Sequence, residues 1–243
     1  MQAHLKDVLS TKGTQPVHDA MRYALTGGKG LRGFLVLESA RLHDIPPQNA
    51  LSAAAAIEAL HAYSLIHDDL PCMDDDDLRR GQPTVHRKWD EAVAVLAGDA
   101  LQTLAFELLC DPALGSEQVR LGLVLGLAKA SGAEGMVLGQ ALDMAAETAA
   151  VPLTLDQIIA LQAGKTGALI RFAAQAGAVM AQADTAALDG YAQALGLAFQ
   201  IADDILDVQG DPAKAGKRLG KDQAAGKATF VSLLGLDGAK TRA

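Results

Sequence analysis

The sequence predicts an all-α fold, and three observations predict it. Hydrophobic residues make up 50% of the chain while aromatic residues make up only 4%. A balance so rich in Ala, Leu and Gly suits closely packed helices better than strands, which prefer β-branched and aromatic residues. Apolar residues recur at helical spacing along most of the chain, and no stretch alternates with period two for long enough to make a sheet. The 243 residues carry no fixed-period repeat and no low-complexity linker, so residues 1–243 read as one domain with a sizeable core.

The elements follow in order. HDAMRYAL, residues 18–25, opens one amphipathic stretch, and FLVLESARL, residues 34–42, opens a second that the turn HDIPP ends. Residues 49–69, NALSAAAAIEALHAYSLIHDD, form a long Ala-rich helix. WDEAVAVLAGDALQTLAFELL is a fourth, followed by EQVRLGLVLGLAKASG and GMVLGQALDMAAE. After TAAVPLT, Thr154 is placed to cap a helix with Asp156 and Gln157 in its first turn. Residues 185–210 supply a last long helix.

There are 29 acidic and 21 basic residues, a formal net charge of −8. That balance speaks against a general nucleic-acid binder. The cations are nonetheless clustered, at Lys29 and Arg32, at Arg79 and Arg80, at Lys165, and from Lys214 to Lys227, which suggests local anion sites. Cys72 and Cys110 form no CxxC pair, so a reducing, cytoplasmic setting is expected and neither cysteine is given a role. The N-terminus MQAHLKDVLSTKG has no apolar core and reads as no signal peptide. The longest apolar runs are short or broken by Gly and read as no membrane span.

Two acidic motifs carry the chemistry. In LIHDDLPCMDDDDLRRG, residues 65–81, six aspartates fall between Asp68 and Asp77. His61 and Asp68 are seven apart, hence about 20° apart around a helix axis and about 10 Å along it. The carboxylates therefore crown the C-terminal end of an apolar helix, where the macrodipole is already negative and bare acids are disfavoured. A bound cation would relieve that. Oxygen donors without His or Cys suit Mg²⁺ shared with phosphates. An acidic run alone is more often a solvated loop, and the EF-hand pattern fails for want of its Gly and terminal Glu. The second motif, FQIADDILDVQGD, shifts the balance. Gln200, Asp203, Asp204 and Asp207 share one helical face, while Ile201, Ile205 and Leu206 point elsewhere, towards packing. Such carboxylates on an apolar helix are costly unless paired or metal-bound.

The basic segments are weaker signals when taken singly. GGKGLRG sets Lys29 and Arg32 on a Gly-rich stretch that lets a ligand approach the backbone, though a plain surface turn reads the same way. LQAGKTGALI is no P-loop, since Ile159 stands where GxxxxGK[ST] needs its first Gly and no strand precedes it. Gly164 and Gly167 instead suggest a helix kink that turns Lys165 and Thr166 inward. GKRLGKDQAAGKAT supplies Lys217 and Lys227, with a basic surface loop as the plain alternative.

Taken together, these segments resemble the trans-isoprenyl diphosphate synthases. HDDLPCMDDDDLRRG is similar to that family's first Asp-rich motif in the form with two extra residues. FQIADDILD is similar to the second, and GKTGAL and GKRLGKDQAAGKAT to the remaining substrate segments, in order. The resemblance implies an isoprenoid-synthase-type helical bundle around a central cavity. It implies Mg²⁺, three ions per site, held by Asp68, Asp69, Asp74, Asp203, Asp204 and Asp207. It assigns the allylic diphosphate to Arg79, Lys165 and Lys217, and isopentenyl diphosphate to Lys29, Arg32, His61 and Arg80. Lys227 is a further diphosphate contact, and Thr166 and Gln200 point dipoles at the developing carbocation. In this chemistry the allylic diphosphate ionises, the isopentenyl double bond attacks, and a proton is lost to the released pyrophosphate. Tyr63 and Ser64 would form the floor of the product channel, and a bulky Tyr63 implies farnesyl diphosphate. A geranylgeranyl or other longer product, and a catalytically silent metal-binding subunit, remain as alternatives. The resemblance further implies a homodimer with no membrane span.

Two departures stand out. The family's GGKR-x-RP becomes GGKG-L-RG, with Gly30 and Gly33 in place of Arg and Pro, so one cation fewer and a looser loop are expected. The chain also ends soon after FVSLLGLDGAK, where the family pattern continues, so its C-terminal helices are expected to be lacking.

Overall fold

Proline at a helix start and small residues along its length explain the central element of the fold. In a computed structural model, which describes residues 1–209 and 229–243, α4 (Pro47–Asp68) starts with Pro at its first position and runs through an alanine-rich middle. Before it come α1 (Gln2–Ser10), α2 (Pro16–Ala24) and α3 (Leu31–Leu42). After it come a short hairpin, β1 (Leu78–Arg79) with β2 (Gln82–Pro83), then α5 (Val85–Lys88) and α6 (Glu91–Leu109). The chain continues through α7 (Glu117–Ser131), α8 (Met136–Glu147), α9 (Leu155–Gln162), α10 (Ala168–Met180), α11 (Ala186–Gln209) and α12 (Phe230–Arg242). The fold is all-α, as the composition and periodicity predict. The hairpin was not anticipated, because strands of two residues are too short to show a period.

Cα proximity divides the chain into two compact units, Met1–Leu127 with Ala173–Thr185, and Ala128–Phe172 with Ala186–Ala243. Two of the three boundaries fall within α7 and α10, and the third falls at the start of α11. In the first unit α4 packs against α3 and α6. Ala50, Ala53, Ala54, Ala55, Ala56 and Ala59 are fully buried, so methyl groups set the helix spacing. The Asp90 carboxylate caps α6 by accepting from the Val93 N–H at 2.7 Å. Ser39 on α3 is buried, donates to the Ala174 carbonyl at 2.5 Å and accepts from the Gly177 N–H at 3.0 Å. A Cβ on Gly177 would lie 2.1 Å from the Ser39 carbonyl carbon, so only glycine permits this approach.

In the second unit Ile158, Ile201, Phe230 and Ala239 form the buried core. The Thr154 cap expected on α9 is present as a reciprocal capping box with Gln157.

By length and composition alone, Glu91–Leu109 and the stretch Glu117–Glu147 are long and apolar enough to cross a membrane, a property that the core helices of a bundle share. Glu91–Leu109 is α6, packed against α4. The second stretch is interrupted between α7 and α8.

Candidate functional site

The acidic stretch is a folded helix end rather than a loose tail. The N–H groups of Asp74, Asp75 and Asp76 donate to the carbonyls of Asp68, Leu70 and Asp69 at 2.9, 3.2 and 3.2 Å. The last carbonyls of α4 are thereby satisfied by the loop that follows it. Asp68 and Asp74 are half-buried there. Asp75 is exposed, Asp77 pairs with Arg87 at 2.7 Å, and Asp76 lies 3.8 Å from Arg79. Asp76 and Asp77 are thus drawn to nearby arginines, and Asp75 faces solvent.

The hairpin presents the two arginines. Its turn residues Arg80 and Gly81 both have positive φ, 54° and 74°, the type I′ pattern that matches strand twist. Arg79 forks onto Asp69, with Nε 2.8 Å and Nη2 2.5 Å from Oδ1 and Nε 3.1 Å from Oδ2. Asp69 is only 3% exposed. Burial pushes its pKa up to about 6, opposed by the hydrogen bonds and charge of Arg79 and helped by Asp68 and Asp74. Burial also weighs most on Arg79, but the acids around it leave that guanidinium raised. The partners move in the same direction because burial outweighs pairing for the carboxylate and pairing outweighs burial for the cation.

His61, on the same helix, is held neutral well below the usual imidazole range, first by burial and then by Arg32, Arg80 and Arg79. Arg32 is lowered to about 10 by burial, with Glu58 opposing and Arg80 adding. Arg32 Nε is buried and has no hydrogen-bond partner. The Arg80 guanidinium lies over Gly28, where a Cβ would come within 2.6 Å of Cζ. Lys29 is exposed beside it. Arg32, Arg79 and Arg80 thus lie within electrostatic reach of the His61 imidazole.

Gly30 caps α3 in the left-handed region, φ 61°. Gly33 is buried in the first turn of that helix. A Cβ on Gly33 would stand 2.0 Å from the Met1 sulfur and 3.1 Å from the Ala54 carbonyl oxygen. The looser segment expected from losing Pro is therefore not seen at position 33, which is helical and packed.

Tyr63 is 8% exposed and meets the His67 ring edge-on, with centroids 5.1 Å apart and planes at 83°. His67 Nε2 lies 3.0 Å from the Val95 carbonyl, and its ring fills the space a side chain at Gly98 would take, at 2.1 Å. The Ser64 hydroxyl is satisfied by the His61 carbonyl at 2.8 Å. His67 and Gly98 carried no sequence signal, since a helical His before an acidic motif resembles any other.

In the second unit the expected kink is a π-turn, Ala163–Gly167, between α9 and α10, a device common at functional sites. Lys165 donates to Asp143 at 2.7 Å, and Asp143 is 8% exposed. Sequence reasoning missed Asp143; the signal was a single acid within the apolar GMVLGQALDMAA. Gly139 lets α8 approach, since a Cβ there would lie 2.0 Å from the Lys165 nitrogen. The Thr166 hydroxyl donates to Gln200 Oε1 at 3.2 Å. Gln200 Nε2 donates to Asp204 at 3.0 Å, and Asp204 also accepts the Phe230 N–H at 2.8 Å. Asp204 is thus a buried junction, while Asp203 and Asp207 are half-buried on the same helix. Ile201 is buried and Ile205 packs beside it, but Leu206 is 54% exposed; its packing role is withdrawn, because position 206 falls on the outer face of α11. Lys217 and Lys227 lie outside the described residues.

An apolar helix, α4, thus ends in carboxylates beside a hairpin that carries two arginines. The polyprenyl synthetase family model matches residues 14–243. Farnesyl diphosphate synthase of Escherichia coli K12 is 52% identical over 235 residues, 94% of this chain and 78% of that protein. An FPP/GFPP synthase of Zymomonas mobilis superposes with TM-score 0.86 at 45% identity, covering 100% of this chain and 89% of that one. A Helicobacter pylori geranyltransferase, complexed with magnesium and isoprenyl diphosphate, gives TM-score 0.86 at 36% identity over 98% of this chain and 83% of that one. The chain belongs to the polyprenyl synthetase family.

Proposed function

We propose that the chain is a Mg²⁺-dependent prenyltransferase that condenses isopentenyl diphosphate with dimethylallyl or geranyl diphosphate, giving farnesyl diphosphate and pyrophosphate. The observation that carries this reading is the convergence of Arg32, Arg79 and Arg80 around the neutral His61, one helix turn and more below Asp68. The reaction breaks the allylic C1–O bond with its electron pair leaving on pyrophosphate. The isopentenyl double bond supplies the pair for the new C–C bond, and a proton is lost from the adduct to the pyrophosphate.

The donor set fits Mg²⁺. Asp68, Asp74, Asp203 and Asp207 offer only hard carboxylate oxygens, and Mg²⁺ commonly takes one or two carboxylates together with substrate phosphates. Among the described residues no three His, Cys, Asp or Glu side chains converge as a ready-made cage. Asp69 is engaged by Arg79 and Asp204 by Gln200 and Phe230, so we assign these two to orienting their neighbours. When bound, Mg²⁺ would stabilise charge on the leaving pyrophosphate. We keep three ions as the working number. We assign Arg79, Lys165, Lys217 and Lys227 to the allylic diphosphate, and Lys29, Arg32, His61 and Arg80 to isopentenyl diphosphate. The Thr166 and Gln200 dipoles serve the carbocation. Residues 1–243 act as one catalytic domain, and a cytoplasmic homodimer is its setting; sedimentation checks the dimer.

The test is incubation with Mg²⁺, labelled isopentenyl diphosphate and each allylic primer, followed by sizing of products. Fifteen-carbon product is expected, and no condensation with any primer would overturn the reading. A longer product is the second reading, favoured by the FPP/GFPP synthase among the structural neighbours. Tyr63→Ala bears on it, since Tyr63 is buried on α4 and braced by His67. That variant should shift product beyond fifteen carbons, and an unchanged distribution removes Tyr63 from the channel floor. Gly30→Arg should lower the KM for isopentenyl diphosphate by adding a cation. The same variant should lose about 1 kcal/mol of stability, because Arg must take the left-handed backbone. Michaelis constants and thermal melting read the two effects separately.

A further inference from the structure

Glu58 is the only acid between Pro47 and His67 on α4. Its position is not random. Glu58, His61, Leu65 and Asp68 follow one another at spacings of three, four and three, and all are half-buried; that spacing puts them on one stripe of the helix. Glu58 Oε1 accepts the Gly33 N–H at 2.8 Å. That N–H belongs to the first turn of α3, one of the donors a helix start leaves without a partner. Gly30, the cap residue, has no side chain to serve it. The carboxylate also sits at the positive end of the α3 dipole, where an anion is favoured. The contact depends on this chain's departure at position 33, because proline would have no N–H to give.

The same carboxylate acts on two of the isopentenyl-side cations, Arg32 and Arg80, and Asp69 acts on Arg80 as well. Glu58 opposes the effect of burial on both Arg32 and Arg80, while Arg80 disfavours the charge on Arg32 and Arg79 that on Arg80. Without a substrate these guanidiniums disfavour one another's charge, and the one on Arg32 has a buried Nε with no partner among the described residues.

Resting on the reading that Lys29, Arg32, His61 and Arg80 hold isopentenyl diphosphate, we infer that Glu58 is the positioning residue of that site. It clamps the first turn of α3 to α4 and keeps Arg32 and Arg80 assembled until a diphosphate replaces it as their counter-ion.

The test compares Glu58→Gln with the unaltered chain. A charge-assisted contact of this kind is worth enough that loss of the charge should raise the KM for isopentenyl diphosphate about tenfold. The KM for the allylic substrate and kcat should stay within about twofold, a split that general damage to the fold would not produce. Glu58→Asp keeps the charge and shortens the reach, and should give an intermediate rise; it also serves if the Gln variant folds poorly. In parallel, binding of inorganic pyrophosphate without Mg²⁺, read by calorimetry, should weaken in step. An unaltered chain that condenses nothing, yet loses pyrophosphate affinity on Glu58→Gln, overturns the proposed function and leaves the role of Glu58 standing. Unchanged KM and unchanged pyrophosphate affinity in both variants would overturn the inference itself, as would a parallel change in all kinetic constants.

Discussion

Arg79→Ala is expected to destabilise the protein by about 3 kcal/mol near neutral pH and by much less in acid, because it strands a buried carboxylate. Asp69 is 3% exposed, and among the described residues Arg79 is the side chain that pairs with it. Its folded pKa of about 6 lies above the ordinary carboxylate value. The sign follows from that direction. Below about pH 4 the group is protonated in both folded and unfolded chains, and its favourable contribution to the fold is complete. As pH rises through about 6 the buried carboxylate ionises, and that contribution is lost. Arg79 softens the loss by binding the ionised form. Removing Arg79 drives the folded pKa higher still, so the penalty should grow from acid to alkaline pH. Denaturant melts of both proteins at about pH 5 and about pH 8 measure it. An equal loss at the two pH values would show that Arg79 acts through packing rather than through Asp69.

Asp68→Asn should reduce kcat/KM by about 10² to 10³-fold, the scale seen when one preorganised electrostatic contact to a developing charge is removed. Stability should move the other way. Asp68 ends α4, where the helix dipole is negative, and Asp69 and Asp74 lie in the same folded-back turn. Neutralising it relieves repulsion there, so the variant should melt no lower than the unaltered protein in the presence of a chelator. Added Mg²⁺ should then stabilise the unaltered chain more than the variant, by mass action. A variant that is both inactive and strongly destabilised without metal would mean that Asp68 holds the fold together rather than a cation.

Much of this site was legible in the sequence because its logic is local. Asp68 at a helix end, or Gln200, Asp203 and Asp207 on one stripe, follow from helical spacing. The Gly164–Gly167 irregularity was visible for the same reason, though not its π geometry. What could not be read is who meets whom across the fold. Arg79 on Asp69, Lys165 on Asp143 and Gly33 on Glu58 join residues 10, 22 and 25 positions apart, and no periodicity encodes such pairings. Asp69 and Asp204, expected beside their neighbours as metal ligands, are each hydrogen-bonded to protein groups that the spacing gave no reason to choose. Leu206 was placed with the packing residues because hydrophobicity suggested it, but the turn of α11 leaves it in solvent.

The alanines of α4 have a consequence for how this protein can change over time. Among the buried residues of that helix, only Ile57, Leu60, Tyr63 and Ile66 carry hydrocarbon beyond a methyl group, and Ser52 adds a hydroxyl. Where Ala already stands, a smaller residue would be glycine, which weakens the helix, and a larger one overpacks the interior at about 1–3 kcal/mol. Neutral drift is therefore nearly closed along most of this wall. Variation in the shape of the interior must pass through four bulky side chains, and Tyr63 and Ile66 are the two nearest the acidic end.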